Sequence, residues 1–232
     1  MSNAPLRLRP AGDRALLAEY GDDISPAVNA LVRRAFAGLT QAAPDWLVEA
    51  APAYRSLMIT YHPELAGPAQ VEEFLVGLAR QTGAAGQGRR KVTEIPVCYG
   101  GELGPDLAFV AESHGIGQEE AIALHSAPEY LIYMLGFAPG FPFLGGLDPR
   151  LATPRLTSPR TFVPAGSVGI ANSQTGIYSA DSAGGWQIVG RTPLKLFDLA
   201  AEQPFLLTAG DYLRFKPISL AEHQALAAQG GR

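Results

Sequence analysis

Between Gly136 and Asp198 the chain gathers side chains suited to holding a ligand: Arg155, Arg160, Ser167, Asn172, Gln174, Thr175, Tyr178, Trp186, Gln187, Arg191 and Thr192. Over the same stretch there is no histidine, and the only carboxylates are Asp148, Asp181 and Asp198. General acid-base work needs a poised histidine or paired acids, and nucleophilic work needs a Ser or Cys beside a base. The local inventory therefore points to recognition rather than proton transfer. His125, just ahead of this stretch on the inner side of a short helix, is the best acid-base candidate, although a hydrogen-bonded core histidine is the commoner fate of such a residue.

Glycine and proline dictate how these groups are presented. The segments GFAPGFPFLGG, PRLTSPR, VPAGSVGIA, QTGIY, GGW and GRTPLKLFD follow one another closely. Glycine permits φ > 0 and close chain approach, and proline fixes φ while removing a donor, so their repeated use specifies a rigid, irregular surface or a β domain with many tight turns. Arg155 and Arg160 each follow a proline. They either present two guanidinium forks to a carboxylate, carbonyl or partner acid, or bond loop carbonyls as a structural pair. Gln174, Thr175 and Tyr178 flank Gly176, whose amide allows close approach of an anionic or amide ligand. Trp186 is a core aromatic or a stacking platform, with core favoured. Phe137, Phe141 and Phe143 in GFAPGFPF lie on a loop and either wall an apolar groove or plug the end of a barrel.

Composition narrows the function class. The 232 residues carry a net charge of −4, with 47% hydrophobic and 17% charged side chains. Such a balance offers no basic footprint for nucleic acid or an anionic membrane. The longest apolar runs, such as YLIYML, fall far short of the ~20 residues that span a bilayer, and the polar N-terminus lacks an apolar signal core, so we read the chain as cytoplasmic with no membrane partner. The lone Cys98 reads as a buried structural thiol, and the four histidines lack metal-ligand spacing, so no metal site is expected.

The elements that position these groups follow from periodicity. Strands are expected near 6–9 and 15–20, then a helix capped by Ser25 and opened by Pro26, strands at WLVEAAP and SLMITYH, and a helix from about Pro68. The glycine-rich GAAGQGRRK at 83–91 reads as an exposed connection between domains. Beyond it come a strand at VTEIPVCYG and two short helices. Strands at PEYLIYML, RTFVP, SVGIA, TGIYS, GWQIVG, PLKLF and DYLRFKP follow, separated by turn residues. The tail from His223 is expected to fray. The fold class is α+β: a small N-terminal α/β domain (1–85, ββαββα) and a closed or sandwiched β domain (92–220).

The motifs HSAPEYLIYMLGFAPGFPFLGGLDPRLATPR, SPRTFVPAGSVGIANSQTGIY and GGWQIVGRTPLKLFD together resemble the family of 5-oxoprolinase B subunits, also described as allophanate hydrolase subunit 1, as sporulation kinase A inhibitor-like proteins, or as carboxyltransferase subdomains C and D. The resemblance implies a cyclophilin-like β-barrel behind the α/β domain. It implies a non-autonomous subunit working with a carboxyltransferase A/B-type partner and a decyclising subunit in the ATP-dependent opening of 5-oxoproline to glutamate. An allophanate or urea-type amide hydrolase or carboxyltransferase subunit, or a regulator that grips a sensor kinase, is the alternative. ATP and magnesium are implied for the whole complex. This chain shows neither a P-loop nor an acid cluster, so both are expected mainly on the partners. None of the three lysines, Lys91, Lys195 and Lys216, sits in a Met-Lys-Met turn, so any biotin comes from another chain. Ser179 and Ala183 stand where the family usually shows proline, which loosens that loop. The groove so implied is lined by Arg155, Arg160, Gln174, Thr175, Tyr178 and Arg191.

Overall fold

A computed structural model describes residues 6–81 and 91–230. The chain forms two compact units, Met1–Arg89 and Arg90–Arg232. The expected connection at 83–91 lies, but for Lys91, outside the described residues.

The first unit follows the expected order: β1 (Arg7–Pro10), β2 (Ala15–Glu19), α1 (Pro26–Ala42), β3 (Leu47–Pro52), β4 (Ser56–Tyr61) and α2 (Pro68–Gln81). Its antiparallel sheet runs β1-β2-β4-β3. Ser25 Oγ accepts from the Val28 amide at 3.3 Å, satisfying one free N–H of the first turn of α1, where Pro26 has none to lose. The apolar stripe of α1 and α2 closes over the sheet, with Val32, Leu39, Leu57, Ile59 and Val71 fully buried.

The second unit carries the site. Its elements are β5 (Val92–Tyr99), α3 (Leu107–Ser113), α4 (Gln118–Ser126), β6 (Tyr130–Leu135), β7 (Pro142–Gly145), β8 (Arg160–Val163), β9 (Ser167–Ala171), β10 (Gln174–Ile177), β11 (Ser182–Gly184), β12 (Gln187–Arg191), β13 (Tyr212–Pro217) and α5 (Leu220–Ala228). Strands close into a cyclophilin-like barrel in the order β10-β7-β6-β13-β5-β12-β9, and β8 pairs with β11 outside it. Among the described strands only β13 and β5 run parallel. Alternate residues point inward, so Ile95, Val97, Ile132, Val168, Ile170, Val189 and Phe215 fill the barrel.

Three local expectations are corrected. PLKLF is not a strand; its Phe197 makes only an isolated bridge to Phe205, because Pro193 withholds the donor that a ladder needs there. Ser182–Gly184, short and poor in β-formers, is a strand held by pairing to β8, and this pairing restrains the segment around Ala183. The tail does not fray from His223: α5 is stabilised by a capping box in which Ser219 Oγ accepts from the Glu222 amide and Glu222 accepts from the Ser219 amide at 2.7 Å.

One glycine is required by close packing. A Cβ on Gly104 would lie 2.1 Å from the Val189 carbonyl oxygen and 2.6 Å from the Gly100 nitrogen, both backbone atoms that cannot swing aside. Gly104→Ala is expected to lose about 3 kcal/mol of stability, read as a lower urea midpoint with an unchanged slope. An unchanged midpoint would show that the turn relaxes.

Candidate functional site

A groove of about 270 Å³ opens on the outer face of the barrel, lined by Phe137, Phe141, Phe143, Arg155, Pro159, Tyr178, Ala183, Gly184, Gly185 and Trp186. Three glycine- and proline-rich segments, far apart in sequence, supply these residues. The Leu156 amide donates to the Gly185 carbonyl at 2.8 Å, tying PRLTSPR to GGW. Phe141 anchors the wall: its ring meets Tyr178 and Trp186 edge-on, each at 5.5 Å. Gly184 makes room for Tyr178, since a Cβ there would lie 2.2 Å from the phenol oxygen.

Two features mark this groove as more than a crevice. Phe137 holds φ of 63° and is 70% exposed, its ring meeting that of Phe141 edge-on at 5.5 Å. A bulky side chain in the left-handed region costs free energy, and a largely exposed residue recovers little of it, so the arrangement favours a contact beyond this chain. Second, the Arg155 guanidinium carbon sits 5.9 Å from the centre of the Trp186 ring. The exposed Arg155 makes no hydrogen bond or ion pair among the described residues. Its N–H fork is thereby held over an aromatic floor and directed at the groove. Tyr178 is held in its neutral form: burial raises its pKa, opposed by a hydrogen bond from the Trp186 backbone and by the charges of Arg155 and Arg160. No carboxylate, imidazole or thiol lines the groove among the described residues.

The remaining expected site residues are placed elsewhere. Arg160 donates to Asp106 Oδ1 at 2.7 Å and to the Trp186 carbonyl at 3.4 Å, while Asp106 Oδ2 accepts from the Ile188 amide at 2.6 Å. It is thus the structural member of the expected guanidinium pair, pinning the groove rim to the start of β12. Asp106, 54 residues upstream, carries no local signal that could have identified it. Gln174 sits half-buried at the start of β10, paired with Ala171 and outside the groove lining. Arg191 lies on β12 opposite Cys98 and is also absent from the lining.

Thr175 and His125 meet inside the barrel. Thr175 donates its hydroxyl proton to the Gly169 carbonyl at 3.0 Å, so at 2.9 Å it accepts from His125 Nε2. His125 Nδ1 then accepts from the Tyr99 hydroxyl at 2.7 Å. The ring stacks on Phe215 at 4.5 Å and is 1% exposed. Burial pushes its pKa down to about 3. This corrects the acid-base expectation: His125 is a satisfied, neutral core histidine with no substrate-sized space beside it.

Residues 6–207 match the family described as carboxyltransferase domain, subdomain C and D. The chain is similar to the 5-oxoprolinase B subunit of Bacillus subtilis (strain 168), at 42% identity over 94% of this chain and 95% of that one. It is also similar to the 5-oxoprolinase B subunit of Escherichia coli O157:H7, at 54% identity over 53% of this chain and 57% of that protein. The solved Kluyveromyces lactis urea amidolyase shares the fold, with a TM-score of 0.80 and 21% identity over 99% of this chain and 16% of that one. Among the described residues no helix is long and apolar enough to cross a membrane.

Proposed function

This chain belongs to the carboxyltransferase domain, subdomain C and D, family, and from that membership we propose that it is the B-type subunit of an ATP-dependent 5-oxoprolinase, cytoplasmic and inactive alone. One observation supports the division of labour beyond the family's name: among the described residues the groove offers a guanidinium fork and an aromatic wall but no carboxylate, imidazole or thiol, and the Tyr178 phenol in its lining is held neutral by burial. Such a site holds a carboxylate-bearing cyclic amide, with the carboxylate on Arg155 and the ring against Trp186 and Phe141, and leaves acid, base and phosphoryl chemistry to other chains. A carboxyltransferase A/B-type partner and a decyclising subunit complete the machine in this reading. Among the described residues no group of three or more His, Cys, Asp or Glu side chains is placed to hold a metal ion; in this reading ATP and magnesium are held mainly by the partner subunits.

The purified chain is expected to turn over neither 5-oxoproline nor ATP, and coupled turnover is expected once both partner subunits are added. Robust turnover by the isolated chain defeats the division of labour, and a fully assembled complex without turnover defeats the substrate. The exposed Phe137, held at positive φ, favours one second reading, in which the same groove grips a segment of a sensor kinase. Kinase capture that survives excess 5-oxoproline, without association of the partner subunits, would support it.

A further inference from the structure

Asp106 lies outside the groove lining, yet its contacts converge on the groove floor. It sits one residue ahead of α3, the position from which an aspartate ordinarily accepts from the free amides of a helix's first turn. Its side chain makes no such bond. Both carboxylate oxygens turn instead to β8 and β12: Oδ1 accepts from Arg160 at 2.7 Å and Oδ2 from the Ile188 amide at 2.6 Å. The Asp106 amide also donates to the Ile188 carbonyl at 2.9 Å, so one residue holds both backbone polar groups of Ile188. An aspartate that forgoes its own helix for a strand 82 positions away serves that strand.

What these bonds fix is Trp186, two residues before Ile188. Arg160, oriented by Asp106, donates to the Trp186 carbonyl at 3.4 Å, and the Tyr178 phenol accepts from the Trp186 backbone on the other side. The Asp106 side chain is only 13% exposed, so its pairing with Arg160 is weakly screened by salt. The segment that carries it is itself anchored to β12, since the Gly100 amide donates to the Val189 carbonyl at 3.0 Å. The Trp186 indole is buried, and Arg155 lies over its face at 5.9 Å. A cation is attracted to the face of a ring and not to its edge, so the tilt of the indole decides where the Arg155 fork points.

We infer that Asp106 is a positioning residue for the groove: through Arg160 and the Ile188 backbone it sets the Trp186 ring, and through that ring it aligns the Arg155 fork with a carboxylate. The inference rests on the reading of the groove as the 5-oxoproline site. Hydrogen-bonded supports of this kind hold binding groups to a fraction of an ångström, and loosening one weakens binding although it never touches the ligand. A salt bridge that merely joined the start of α3 to β8 would stabilise the barrel and leave the affinity of the groove unchanged.

The test uses the full-length chain carrying Trp46→Phe, which leaves Trp186 as its sole tryptophan. Two quantities are read from the Trp186 emission: its quenching by acrylamide and the dissociation constant of 5-oxoproline. Asp106→Asn keeps the size of the side chain but turns an amide donor towards Arg160 or the Ile188 amide, both donors themselves. In a chain that circular dichroism shows to be folded, it is expected to raise the quenching constant about threefold and to weaken 5-oxoproline binding about tenfold. In an Arg155→Ala background the same substitution is expected to raise quenching again but to leave the residual affinity unchanged, because the fork it acts through is gone. Should Asp106→Asn fold poorly, Arg160→Gln, which spares the bond to the Ile188 amide, is expected to move both readouts in the same direction. Unaltered quenching, unaltered affinity, or an equal loss of affinity with and without Arg155 overturns the inference. Failure of the parent chain to bind 5-oxoproline defeats the substrate reading instead, and quenching alone then decides whether Asp106 holds Trp186.

Discussion

Replacing Arg155 by alanine is expected to lower kcat/KM of the reconstituted complex for 5-oxoproline about a hundredfold, the usual effect of removing a charge-assisted, desolvated contact to a substrate carboxylate. Stability supplies the control. Arg155 is exposed and its one visible contact is the face of Trp186 at 5.9 Å, so the isolated chain should lose no more than about 1 kcal/mol. Arg155→Lys separates charge from shape, because lysine keeps the cation but lacks the planar fork that Trp186 orients. It is expected to recover part of KM and little of the alignment that sets kcat. If the alanine variant assembles and turns over normally, the groove serves subunit contact and the substrate is held by the partners.

The sequence exposes the materials of this groove more readily than their arrangement. PRLTSPR displays two arginines after prolines, yet only the fold reveals that Asp106 captures Arg160 and leaves Arg155 over the groove. That capture joins the segment before α3 to β8 by a salt bridge across 54 positions, and nothing in the local spacing encodes it. Arg191 was equally illegible, since strand register alone decides that its side chain turns towards Cys98 and α5. The aromatic residues were more legible. Phe137, Phe141 and Trp186 are embedded in glycine and proline that permit only a stiff turn, and Gly136–Phe141 is such a turn, closed by the Gly136 amide donating to the Phe141 carbonyl at 3.1 Å. The helices α1, with its Ser25 cap and apolar stripe, and α2, with its apolar stripe, were readable for the same reason: local chemistry and burial agree there. At Ser182–Gly184 tertiary pairing overrides weak local preference and the sequence was silent, whereas α5 carries a local signal, the Ser219–Glu222 capping box, that a reading of its apolar pattern alone passes over.

The barrel is expected to weaken as pH falls from 7 to 5, and His125 is the cause. In the folded chain burial pushes its pKa down to about 3, whereas in the unfolded chain it titrates near its ordinary value of about 6.5. Below that value the unfolded state takes up a proton that the folded state excludes. Stability is therefore full above about pH 6.5 and falls by roughly 1.4 kcal/mol per unit towards pH 3, a loss of about 2 kcal/mol by pH 5. Carboxylates with lowered pKa, such as Asp148 and Glu222, lose stabilisation only below their ordinary range, so the window between pH 6.5 and 5 belongs to histidine. His223 shifts in the same direction but is only half-buried, and a His223→Gln background removes its share. In that background, urea unfolding at pH 7 and pH 5 should differ by about 2 kcal/mol with His125 present and by much less with His125→Gln. The glutamine variant is expected to cost about 3 kcal/mol at pH 7, because it gives up the stack on Phe215 and mismatches the partners of Tyr99 and Thr175. Equal pH dependence in both proteins would mean that His125 charges within the folded barrel. The closed relay from Tyr99 through His125 and Thr175 to Gly169 would then be open to solvent, and an acid-base role for His125 would return.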